Sequence, residues 1–532
     1  MLWYSMLLFL EGEKGCAVLV MCTEMCRFPF SEKKGIRPVC GMGLKRERIR
    51  LMSMNRRDFL KGTAWMGAAA MAAGCANALK FCGNGGMMNG FAVAPLKKVR
   101  VGMVGLGSRG AGAVHRISMI PGVEVTALCD ICKERIEKEL KWLKENDRPA
   151  PKTFCDNEDS WKKMCEWDGI DCVYNVTPWS LHAPIGVYAM ECGKHAFIEV
   201  PAAMTVDECW ELVKTAERTK RHCMQLENCC YGEMEMLCLN LCRQGLLGDL
   251  VHGECAYIHD LRRGNYNGYW NHWRLRWNQE HKGNQYTTHG LGPICQYMNI
   301  NRGDRFDYLV SLESRQANFE AYAKNLFPGT WKAKEKIEMG DMNTTLIRTV
   351  NGCSIMLQHD VSTPRPYSRI NMVTGTKGIF HGMPWRTYDN EPSMTRFGWE
   401  DKPGAGVHKF FDGKKIAEIR ETYKHPLWKS VGEIAKKVGG HGGMDFLMDL
   451  RWAYCLQNGL PMDMDVYDLA SWCCIAELSE KSVRNRSKAF DVPDFTEGGW
   501  RSAKPLGILD VDLSKIDFDS SKIKRDAAQL NV

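Results

Sequence analysis

A glycine turn between a strand pattern and a helix pattern is the feature that most restricts the fold of this chain. The segment "VRVGMV" has the pattern of a buried strand, and "AGAVHRI" continues as a helix. Between them Gly105, Gly107 and Gly110 form G-x-G-x-x-G, and the next strand, "VEVTALCD", ends at Asp130. Such glycines let the backbone approach a pyrophosphate at a helix N-terminus, and the acid suits the ribose hydroxyls of NAD rather than the phosphate of NADP. The pattern predicts an NAD site; the alternative is a glycine-rich turn in another doubly wound sheet.

The alternation of strands and helices continues to about Arg221. The segments "IDCVYNVTP" and "AFIEVP" are strand patterns, and "SLHAPIGVYAMECGKH" between them is a helix pattern. An alternating order of this kind builds a mostly parallel sheet with helices on its faces. We therefore predict an α/β fold that starts with a Rossmann dinucleotide-binding domain over residues 96–226.

A second pattern follows the helix "GEMEMLCLNLCRQG". The segments "LGDLVHGECAYIHDLR", "YLVSLESRQ", "TTLIRTVNGCSIMLQHDV" and "RINMVTGTKGIFHG" alternate apolar and polar residues, which is typical of half-buried strands. Residues 227–532 are thus predicted to form an α+β domain for substrate binding and oligomerisation, with an open, mainly antiparallel sheet. One face of the sheet would meet the first domain.

The stretch "YWNHWRLRWNQEHKGNQYTTHGLGP" is dense in Trp, Tyr, His and Arg. Aromatic rings stack on the faces of sugars, and Arg and His side chains form hydrogen bonds to hydroxyl groups. The composition favours a carbohydrate pocket between the two domains. The alternative is an aromatic loop that belongs to the core.

An export signal is predicted well inside the printed sequence. The segment "NRRDFLK", with Arg56 and Arg57, resembles the twin-arginine motif, and an apolar run ending in "AAGC" follows it. Residues 54–95 therefore read as a signal with a linker from Ala76 to Pro95, which predicts a periplasmic protein; the alternative is a buried amphipathic helix. Cys75 could carry a lipid anchor, although residue 72 is Ala where lipoprotein signals usually have Leu. We expect translation to start at Met52 or Met54, with residues 1–53 a spurious extension.

The composition argues against a nucleic-acid-binding, membrane-spanning, disulfide-rich or metal-binding protein. The formal charge of +8 is scattered along the chain, so no nucleic-acid partner is expected. No stretch downstream of the leader is long and apolar enough to span a bilayer. Most of the 24 cysteines are expected to be small buried hydrophobic residues, because a disulfide framework belongs to short secreted chains. No metal site is expected, since the C-x-x-C of "CDIC" has no second pair at zinc-site spacing.

Four motifs together resemble glycoside hydrolase family 109, within the glucose–fructose oxidoreductase, inositol dehydrogenase and rhizopine-catabolism superfamily. They are "GLGSRG", "TPWSLHAPIGVYAMECGKHAFIEVP", "LENCCYG" and "YTTHGLGP", and the similarity runs from about residue 99 to the C-terminus. The resemblance implies an NAD-dependent α-N-acetylgalactosaminidase that acts on a glycan with terminal α-linked N-acetylgalactosamine. In this superfamily the exposed face of the second sheet is often buried in an oligomer, so a homo-oligomer is a further expectation.

The resemblance also implies roles for individual residues. The cofactor-binding residues would be Gly105, Gly107, Ser108, Arg109, Gly110, Asp130, Trp179, Ser180, Leu181, His182, Glu199, Val200 and Asn228. The substrate-binding residues would be Tyr257, Arg276, Tyr286, Thr287, Thr288, His289 and Tyr367, with Arg274 a rival for Arg276. The catalytic proton-transfer residues would be Tyr286, His289 and Tyr367, and the sequence does not choose the base among them. Each residue also has a structural alternative: His182 as a buried structural histidine, the tyrosines as packing residues, and Glu199 as a helix cap.

Two departures from the wider superfamily favour the hydrolase family over a sugar dehydrogenase. The superfamily's dehydrogenases typically have Glu-Lys-Pro where this chain has Glu199, Val200 and Pro201, so the usual lysine is missing. They also tend to have a histidine where "THGLGP" has Gly292. The hydrolase family shows the same replacements.

The family's route would oxidise C3 of the sugar, remove the C2 hydrogen, eliminate the glycosidic oxygen, add water and return the hydride. The result is hydrolysis with retention and regenerated NAD, one of the exceptions to two-carboxylate glycosidases. An exported protein could then work without an external redox partner. The rival functions are an exported sugar oxidoreductase and a non-catalytic sugar-binding or redox-sensing protein.

Overall fold

The structure, a computed structural model, describes residues 88–383, 396–400, 402 and 406–516. It also describes two paired strands of two residues each, Leu10–Glu11 and Ala17–Val18. The export signal, Cys75 and the first part of the linker lie outside the described residues. No described helix is long and apolar enough to cross a membrane.

The first sheet is parallel throughout. Its six strands are β1 (Val99–Val104), β2 (Val123–Cys129), β3 (Lys152–Phe154), β4 (Cys172–Asn175), β5 (His195–Ile198) and β6 (Cys223–Gln225). They lie in the order β3–β2–β1–β4–β5–β6, so the strand order reverses between β1 and β4. In such sheets ligands bind beyond the carboxyl ends of the strands at this reversal. The predicted Rossmann domain is confirmed.

Five helices accompany this sheet. They are α1 (Ser108–Ile117), α2 (Lys133–Glu145), α3 (Ser160–Glu166), α4 (His182–Glu191) and α5 (Val206–Thr219). Helix α5 begins with a reciprocal cap, in which Thr205 Oγ1 accepts the backbone N–H of Glu208 at 3.1 Å and the Glu208 carboxylate accepts that of Thr205. Helix α1 begins at Gly107 with no side chain on its first N–H groups, which leaves them available to a ligand.

The second sheet has eight strands. They are β7 (Leu250–Ile258), β8 (Phe306–Glu313), β9 (Asn343–Thr349), β10 (Ser354–Asp360), β11 (Met372–Gly375), β12 (Gly378–His381), β13 (Arg396–Trp399) and β14 (Phe490–Asp491). The order is β13–β12–β11–β7–β10–β9–β8–β14, and only β7 and β10 pair in parallel. The open, mainly antiparallel sheet is therefore confirmed. Leu309 and Ile347 point into the core, whereas their neighbours Tyr308 and Leu346 are exposed.

The remaining helices are α6 (Glu233–Arg243), α7 (Trp273–Glu280), α8 (Thr288–Tyr297), α9 (Asn318–Leu326), α10 (Gly413–Thr422), α11 (Pro426–Val438), α12 (Met444–Asn458), α13 (Val466–Cys473) and α14 (Ile475–Arg484). Helix α12 returns to the first sheet, where the ring of Trp452 lies 4.5 Å from that of Phe197. Asp449 of α12 accepts hydrogen bonds at 3.0 Å from Arg116 Nε of α1 and from the Tyr174 hydroxyl of β4. The carboxy-terminal helices thus complete the core of the nucleotide domain, which the sequence patterns did not predict.

The end of the predicted linker is part of the core. Met88 is buried, and its backbone N–H donates to the Tyr467 hydroxyl at 3.2 Å. The backbone N–H of Leu96 donates to the carbonyl of Leu456 at 3.0 Å. The prediction of a linker up to Pro95 is therefore wrong for residues 88–95, because apolar side chains in this stretch pack against the helices of the carboxy-terminal region.

The cysteines follow the prediction within the described part of the chain. All of them are free, and most are buried. Burial raises the pKa of thiols such as Cys172 and Cys230, because the thiolate would lose its hydration. These side chains therefore pack as small apolar groups.

Two buried histidines behind residues 88–95 predict sensitivity to acid. His195 Nδ1 accepts the backbone N–H of His222 at 3.0 Å, and the His222 ring lies 4.9 Å from that of Phe91. Burial lowers the pKa of His195 to about 3 and that of His222 to about 4. Since the unfolded state binds more protons between about pH 6.5 and 4, the free energy of unfolding should fall as the pH falls through this window.

The variant His222→Phe tests this. It keeps the backbone N–H and fills the site, but it removes one titrating group, so its stability should depend less steeply on pH between about 6.5 and 4. The difference should approach about 1.4 kcal/mol per pH unit, the value for one proton. Urea unfolding of both proteins at a series of pH values measures it, and parallel curves would show that His222 is not buried as a neutral group.

Candidate active site

The glycine turn has the shape that a dinucleotide requires. Gly105 has φ of +85°, and an added Cβ would lie 2.6 Å from the carbonyl oxygen of Val176. At Gly110 an added Cβ would lie 1.9 Å from the carbonyl oxygen of Gly105, whereas at Gly107 it would meet open space. Two of the glycines are thus needed for packing, and the third leaves room beside the uncapped start of α1. These features fit a pyrophosphate.

Asp130 lies at the end of β2, beside this turn. One of its carboxylate oxygens accepts the backbone N–H of Leu106 at 2.6 Å, and the other accepts that of Cys132 at 2.8 Å. Each carboxylate oxygen has a second acceptor position, which suits a ribose hydroxyl. Asp130 therefore stabilises the glycine turn, and its carboxylate lies where the ribose of the cofactor is expected.

The turn's two polar side chains differ in what they can reach. Ser108 is exposed at the first position of α1. Arg109 donates to Glu199 Oε1 at 2.8 Å and to Asp445 Oδ2 at 2.9 Å. The guanidinium of Arg109 thus joins the end of β5 to the start of α12 and is only partly available to a phosphate.

The residues predicted to line the nicotinamide also differ in their exposure. Ser180 and Leu181 are exposed, whereas Trp179 and Val200 are buried. The ring nitrogens of His182 lie 2.7 Å from the carbonyl oxygens of Pro201 and Thr177, and burial lowers the pKa of this histidine. The His182 ring therefore lies between two backbone carbonyls and holds this part of the backbone in place. This is the position expected of a buried structural histidine.

Aromatic side chains from three distant segments meet next to Trp179. The rings of Tyr257 and Tyr286 lie 4.3 Å apart, and that of Tyr286 lies 4.9 Å from His289 and 5.9 Å from Trp179. The Tyr367 ring lies 6.3 Å from that of Tyr257. The predicted substrate residues Tyr257, Tyr286, His289 and Tyr367 are thus brought together.

Arg274, rather than Arg276, lies in this cluster. Its guanidinium lies 4.8 Å from the ring of Trp179 and 4.9 Å from that of Tyr286, and it donates to the Tyr269 hydroxyl at 3.0 Å. Arg276 is exposed and donates to Asn271. The structure therefore places the rival Arg274 in the cluster and Arg276 outside it, because these two residues point to different sides of α7.

Thr287 and Thr288 face the core. Thr287 donates its hydroxyl to the carbonyl of Trp472 at 2.6 Å, and Thr288 is fully buried. Within the predicted sugar-binding stretch, only Tyr286 and His289 present side chains to the cluster.

His289 is held by a buried carboxylate that the sequence analysis missed. His289 Nδ1 lies 2.7 Å from Glu227 Oε1, which also accepts the backbone N–H of Cys229 at 3.0 Å. Burial would raise the pKa of Glu227, but His289 and the hydrogen bonds outweigh burial and lower it. An ionised acceptor places the proton of His289 on Nδ1 and leaves Nε2 for the cluster. Glu227 adjoins Asn228 in "LENCCYG", and this proximity was the available signal.

Gly292 makes room for this carboxylate. An added Cβ at Gly292 would lie 2.9 Å from Glu227 Cγ and 2.9 Å from Cys230 Sγ. The position where the superfamily tends to have a histidine must therefore be glycine here. The replacement of histidine by Gly292 and the Glu227–His289 pair therefore depend on each other, because a larger residue at position 292 would displace Glu227.

Burial keeps the tyrosines protonated. It raises the pKa of Tyr257 to about 12 and those of Tyr286 and Tyr367 further, because a phenolate would be desolvated. Arg369 donates to the Tyr367 hydroxyl at 2.8 Å. Among the three predicted catalytic residues, the tyrosines are therefore suited to donate hydrogen bonds and His289 to accept a proton.

One group of side chains has the composition of a metal site. Ligand atoms of Glu227, Cys229 and His289 all lie within 4.8 Å of one another. The carboxylate and imidazole, however, are hydrogen-bonded directly to each other, and burial raises the pKa of the Cys229 thiol well above its usual value. The arrangement is that of an oriented histidine with a protonated thiol beside it.

Asn228 connects the cofactor side to the carboxy-terminal helices. Its side-chain amide donates to Asp445 Oδ1 at 2.5 Å. Asp445 also accepts a hydrogen bond from Arg109. Three predicted cofactor residues (Arg109, Glu199 and Asn228) therefore belong to one hydrogen-bond network with Asp445. Asp445 lies more than 200 residues from Asn228 and Arg109, and no local pattern indicated it.

Comparison with known proteins identifies the family. Residues 99–226 match the oxidoreductase family with an NAD-binding Rossmann fold, and residues 231–502 match the family described as glycosyl hydrolase 109, C-terminal domain. This chain belongs to glycosyl hydrolase family 109. The resemblance noted in the motifs is confirmed, and with it NAD as the cofactor and glycoside hydrolase as the class of enzyme.

The curated relatives of this family 109 protein cover most of its length. An α-N-acetylgalactosaminidase of Bacteroides fragilis is 49% identical over 418 residues, which are 77% of this chain and 95% of that protein. An α-N-acetylgalactosaminidase of Shewanella oneidensis is 44% identical over 466 residues, which are 86% of this chain and 99% of that protein.

Solved oxidoreductases share the fold. An oxidoreductase domain protein from Kribbella flavida has a TM-score of 0.57 at 15% identity, over 75% of this chain and 100% of that chain. Levoglucosan dehydrogenase in complex with NADH and L-sorbose has a TM-score of 0.55 at 16% identity, over 75% and 100%. At these identities the likeness shows the two-domain fold alone.

The glycine turn predicts a variant that loses its nucleotide. In Gly110→Ala the methyl group would overlap the carbonyl oxygen of Gly105, so the turn must open and the purified protein should contain much less NAD. The nucleotide released on denaturation, separated by chromatography, measures this. Gly413→Ala is the matched control, because an added Cβ there has no neighbour within 4 Å. Equal NAD contents in the two variants would contradict the assignment of the turn.

Proposed function

We propose that this chain hydrolyses terminal α-N-acetylgalactosamine from glycans, with retention and with NAD restored in each turnover. The choice of N-acetylgalactosamine as the sugar is supported by the names of the relatives from Bacteroides fragilis and Shewanella oneidensis. The observation that carries the chemistry is His289, oriented by buried Glu227 and set among tyrosines beside the predicted nicotinamide side.

Bound NAD supplies a hydride acceptor and donor for C3 of the sugar, and the C3 ketone acidifies the hydrogen on C2. His289 Nε2 is then the proton acceptor for C2, because Nδ1 is committed to Glu227. Glu227 keeps the imidazole in this tautomer and balances the positive charge that forms on it. The pair resembles the carboxylate–histidine half of a hydrolytic triad in its division of labour.

The tyrosines and Arg274 hold the sugar's oxygens. Tyr257, Tyr286 and Tyr367 are protonated, so their hydroxyls can donate to sugar hydroxyls or to an oxygen that gains negative charge. Arg274 is buried against Trp179 and Tyr286, where its charge is poorly screened. Together these groups favour an enolate at C2 and C3 over its ketone precursor.

The missing lysine argues against a simple sugar oxidoreductase. Val200 stands where the superfamily's dehydrogenases have lysine, and its side chain is buried. A proton-accepting group is instead supplied from α8 by His289. The oriented pair also favours catalysis over sugar binding alone, since a binding protein has no need of a charged, buried carboxylate behind a histidine.

A single experiment distinguishes these functions. The purified protein, without added nucleotide, is mixed with an aryl α-N-acetylgalactosaminide in heavy water. We expect release of the phenol and deuterium at C2 of the released sugar. His289→Ala and Glu227→Gln should each lower the rate by about 10²-fold or more while the protein keeps its NAD. Glu233→Gln, at the half-exposed start of α6, is the control.

Other outcomes have distinct meanings. Phenol release without deuterium would contradict the elimination route and point to direct displacement. Accumulating NADH with an oxidised sugar would establish an oxidoreductase. Neither release nor NADH would favour a binding or sensing protein.

We also propose that the protein is exported to the periplasm by the twin-arginine route with NAD already bound. The support is the "NRRDFLK" motif followed by an apolar run, together with a reaction that needs no external redox partner. Replacing Arg56 and Arg57 by Lys should leave the protein in the cytoplasm, whereas Lys61→Arg should not. Cell fractionation measures this, and periplasmic location of the double variant would contradict the proposal. Anchoring through Cys75 is part of the same proposal, and mass spectrometry of the exported protein would detect the lipid.

Self-association is proposed for the exposed face of the second sheet. Tyr308, Leu312 and Leu346 share this face and are 37%, 67% and 49% exposed. Large apolar side chains grouped on one face favour a homo-oligomer.

A further inference from the structure

A second glycine-rich segment, residues 439–443 ("GGHGG"), lies at the start of α12. All five residues have positive φ, including His441 at +44°, the segment's only side chain larger than hydrogen. An added Cβ at Gly440 would lie 2.6 Å from Asp445 Cβ and 2.9 Å from Arg116 Cδ. The backbone is therefore bent tightly around Asp445, and this bend presents His441, whose side chain is 50% exposed.

Asp445 orients His441 as Glu227 orients His289. His441 Nδ1 lies 3.0 Å from Asp445 Oδ2, and Asp445 is 1% exposed. Burial would raise the pKa of Asp445, but Arg109, His441 and Arg116 lower it well below its usual value. The carboxylate is thus the acceptor for Nδ1–H. Arg109 lies 3.2 Å from the same nitrogen but already donates to Asp445, so His441 Nε2 is the nitrogen left for a ligand.

The two oriented histidines belong to one site. Glu227 holds His289, and the next residue, Asn228, donates to Asp445, which holds His441. His441 also acts on the cluster electrostatically. Burial, then Arg274 and His289, and also His441 lower the pKa of His259 to about 4, and the His259 ring lies 5.1 Å from that of Tyr367. His441 is therefore close enough to His259 to interact with it electrostatically, and the Asn228–Asp445 hydrogen bond links it to the residue beside Glu227.

We propose that His441 is the second proton-transfer residue, acting on the glycosidic oxygen. This inference rests on the proposed function. His289 first takes the C2 proton; the C1–O bond then breaks, its electron pair stays on the departing oxygen, and His441 Nε2–H gives that oxygen its proton. When water adds to C1, its oxygen forms the new C1–O bond, one of its protons passes to the bare Nε2 of His441, and His289 returns a proton to C2. Both histidines end the cycle as they began.

The test varies the leaving group. Asparagine adopts positive φ more readily than most residues, so His441→Asn keeps the backbone but cannot transfer the proton. The substrates are the 2,4-dinitrophenyl, 4-nitrophenyl and phenyl α-N-acetylgalactosaminides, whose phenols need a proton to leave in increasing degree. For the phenyl glycoside kcat/KM should fall by about 10²–10⁴-fold, the usual contribution of a general acid. For the dinitrophenyl glycoside it should change little.

Two further measurements exclude a merely structural role. His441→Asn should contain as much NAD as the wild type, and it should still exchange the C2 hydrogen of the phenyl glycoside with heavy water, since His289 performs that step. His252→Asn is the matched control: this half-exposed histidine of β7 bonds to Ser354 and should leave all the rates unchanged.

The outcomes distinguish a failure of the role assigned to His441 from a failure of the proposed function. A uniform loss of rate across the three glycosides, a loss of NAD or a loss of C2 exchange would overturn the assignment of His441. An unchanged rate on the phenyl glycoside would also overturn it. If the wild type releases no phenol from any of the three, the proposed function fails, and the role of His441 fails with it.

Discussion

Four paired charges, three of them fully buried, hold the site together. Arg109 and Arg116 lie on one face of α1, seven residues apart, and they meet Asp445 and Asp449, which lie on one face of α12. Ionised groups away from water are stable only when they are paired, and removing one partner of such a pair costs about 3–5 kcal/mol. The network therefore fixes α12 on the nucleotide domain. The positions of Asp445 at the start of α12 and of His441 just before it depend on this contact.

The same network explains why the cofactor motif and the sugar residues act in one place. Arg109 belongs to the glycine turn and also reaches Glu199 at the end of β5, while Asn228 reaches Asp445 from the other side. The turn, the strand end and the residue beside Glu227 are thus tied to one carboxylate. The glycine turn is connected to His441 through two hydrogen bonds, and to His289 through three hydrogen bonds and the peptide link between Glu227 and Asn228.

The parts of the molecule that could be predicted from the sequence are local ones. The Rossmann turn, Asp130 and the period-two strands depend on neighbours within a few residues, and each is where the patterns indicated. Tyr286 and His289 were predicted together because they share one motif, and their rings lie 4.9 Å apart. Asp445 and His441 act through contacts more than 200 residues away in the chain, and Glu227 matters only because Gly292 leaves space for it. Arg274 and Arg276 are two residues apart in a helix, and only the orientation of α7 decides which faces the cluster.

The carboxylates of the site argue against a two-carboxylate glycosidase. Such enzymes need one free acid and one free carboxylate on opposite sides of the glycosidic bond. Here Glu199 pairs with Arg109, Glu227 is fully buried behind His289, and Asp445 is buried among two arginines, Asn228 and His441. Each of these three carboxylates serves another side chain instead of facing a substrate. In the proposed mechanism proton transfer therefore falls to the histidines, since an imidazole, unlike a carboxylate, can give and take protons near neutral pH in both halves of an elimination and addition.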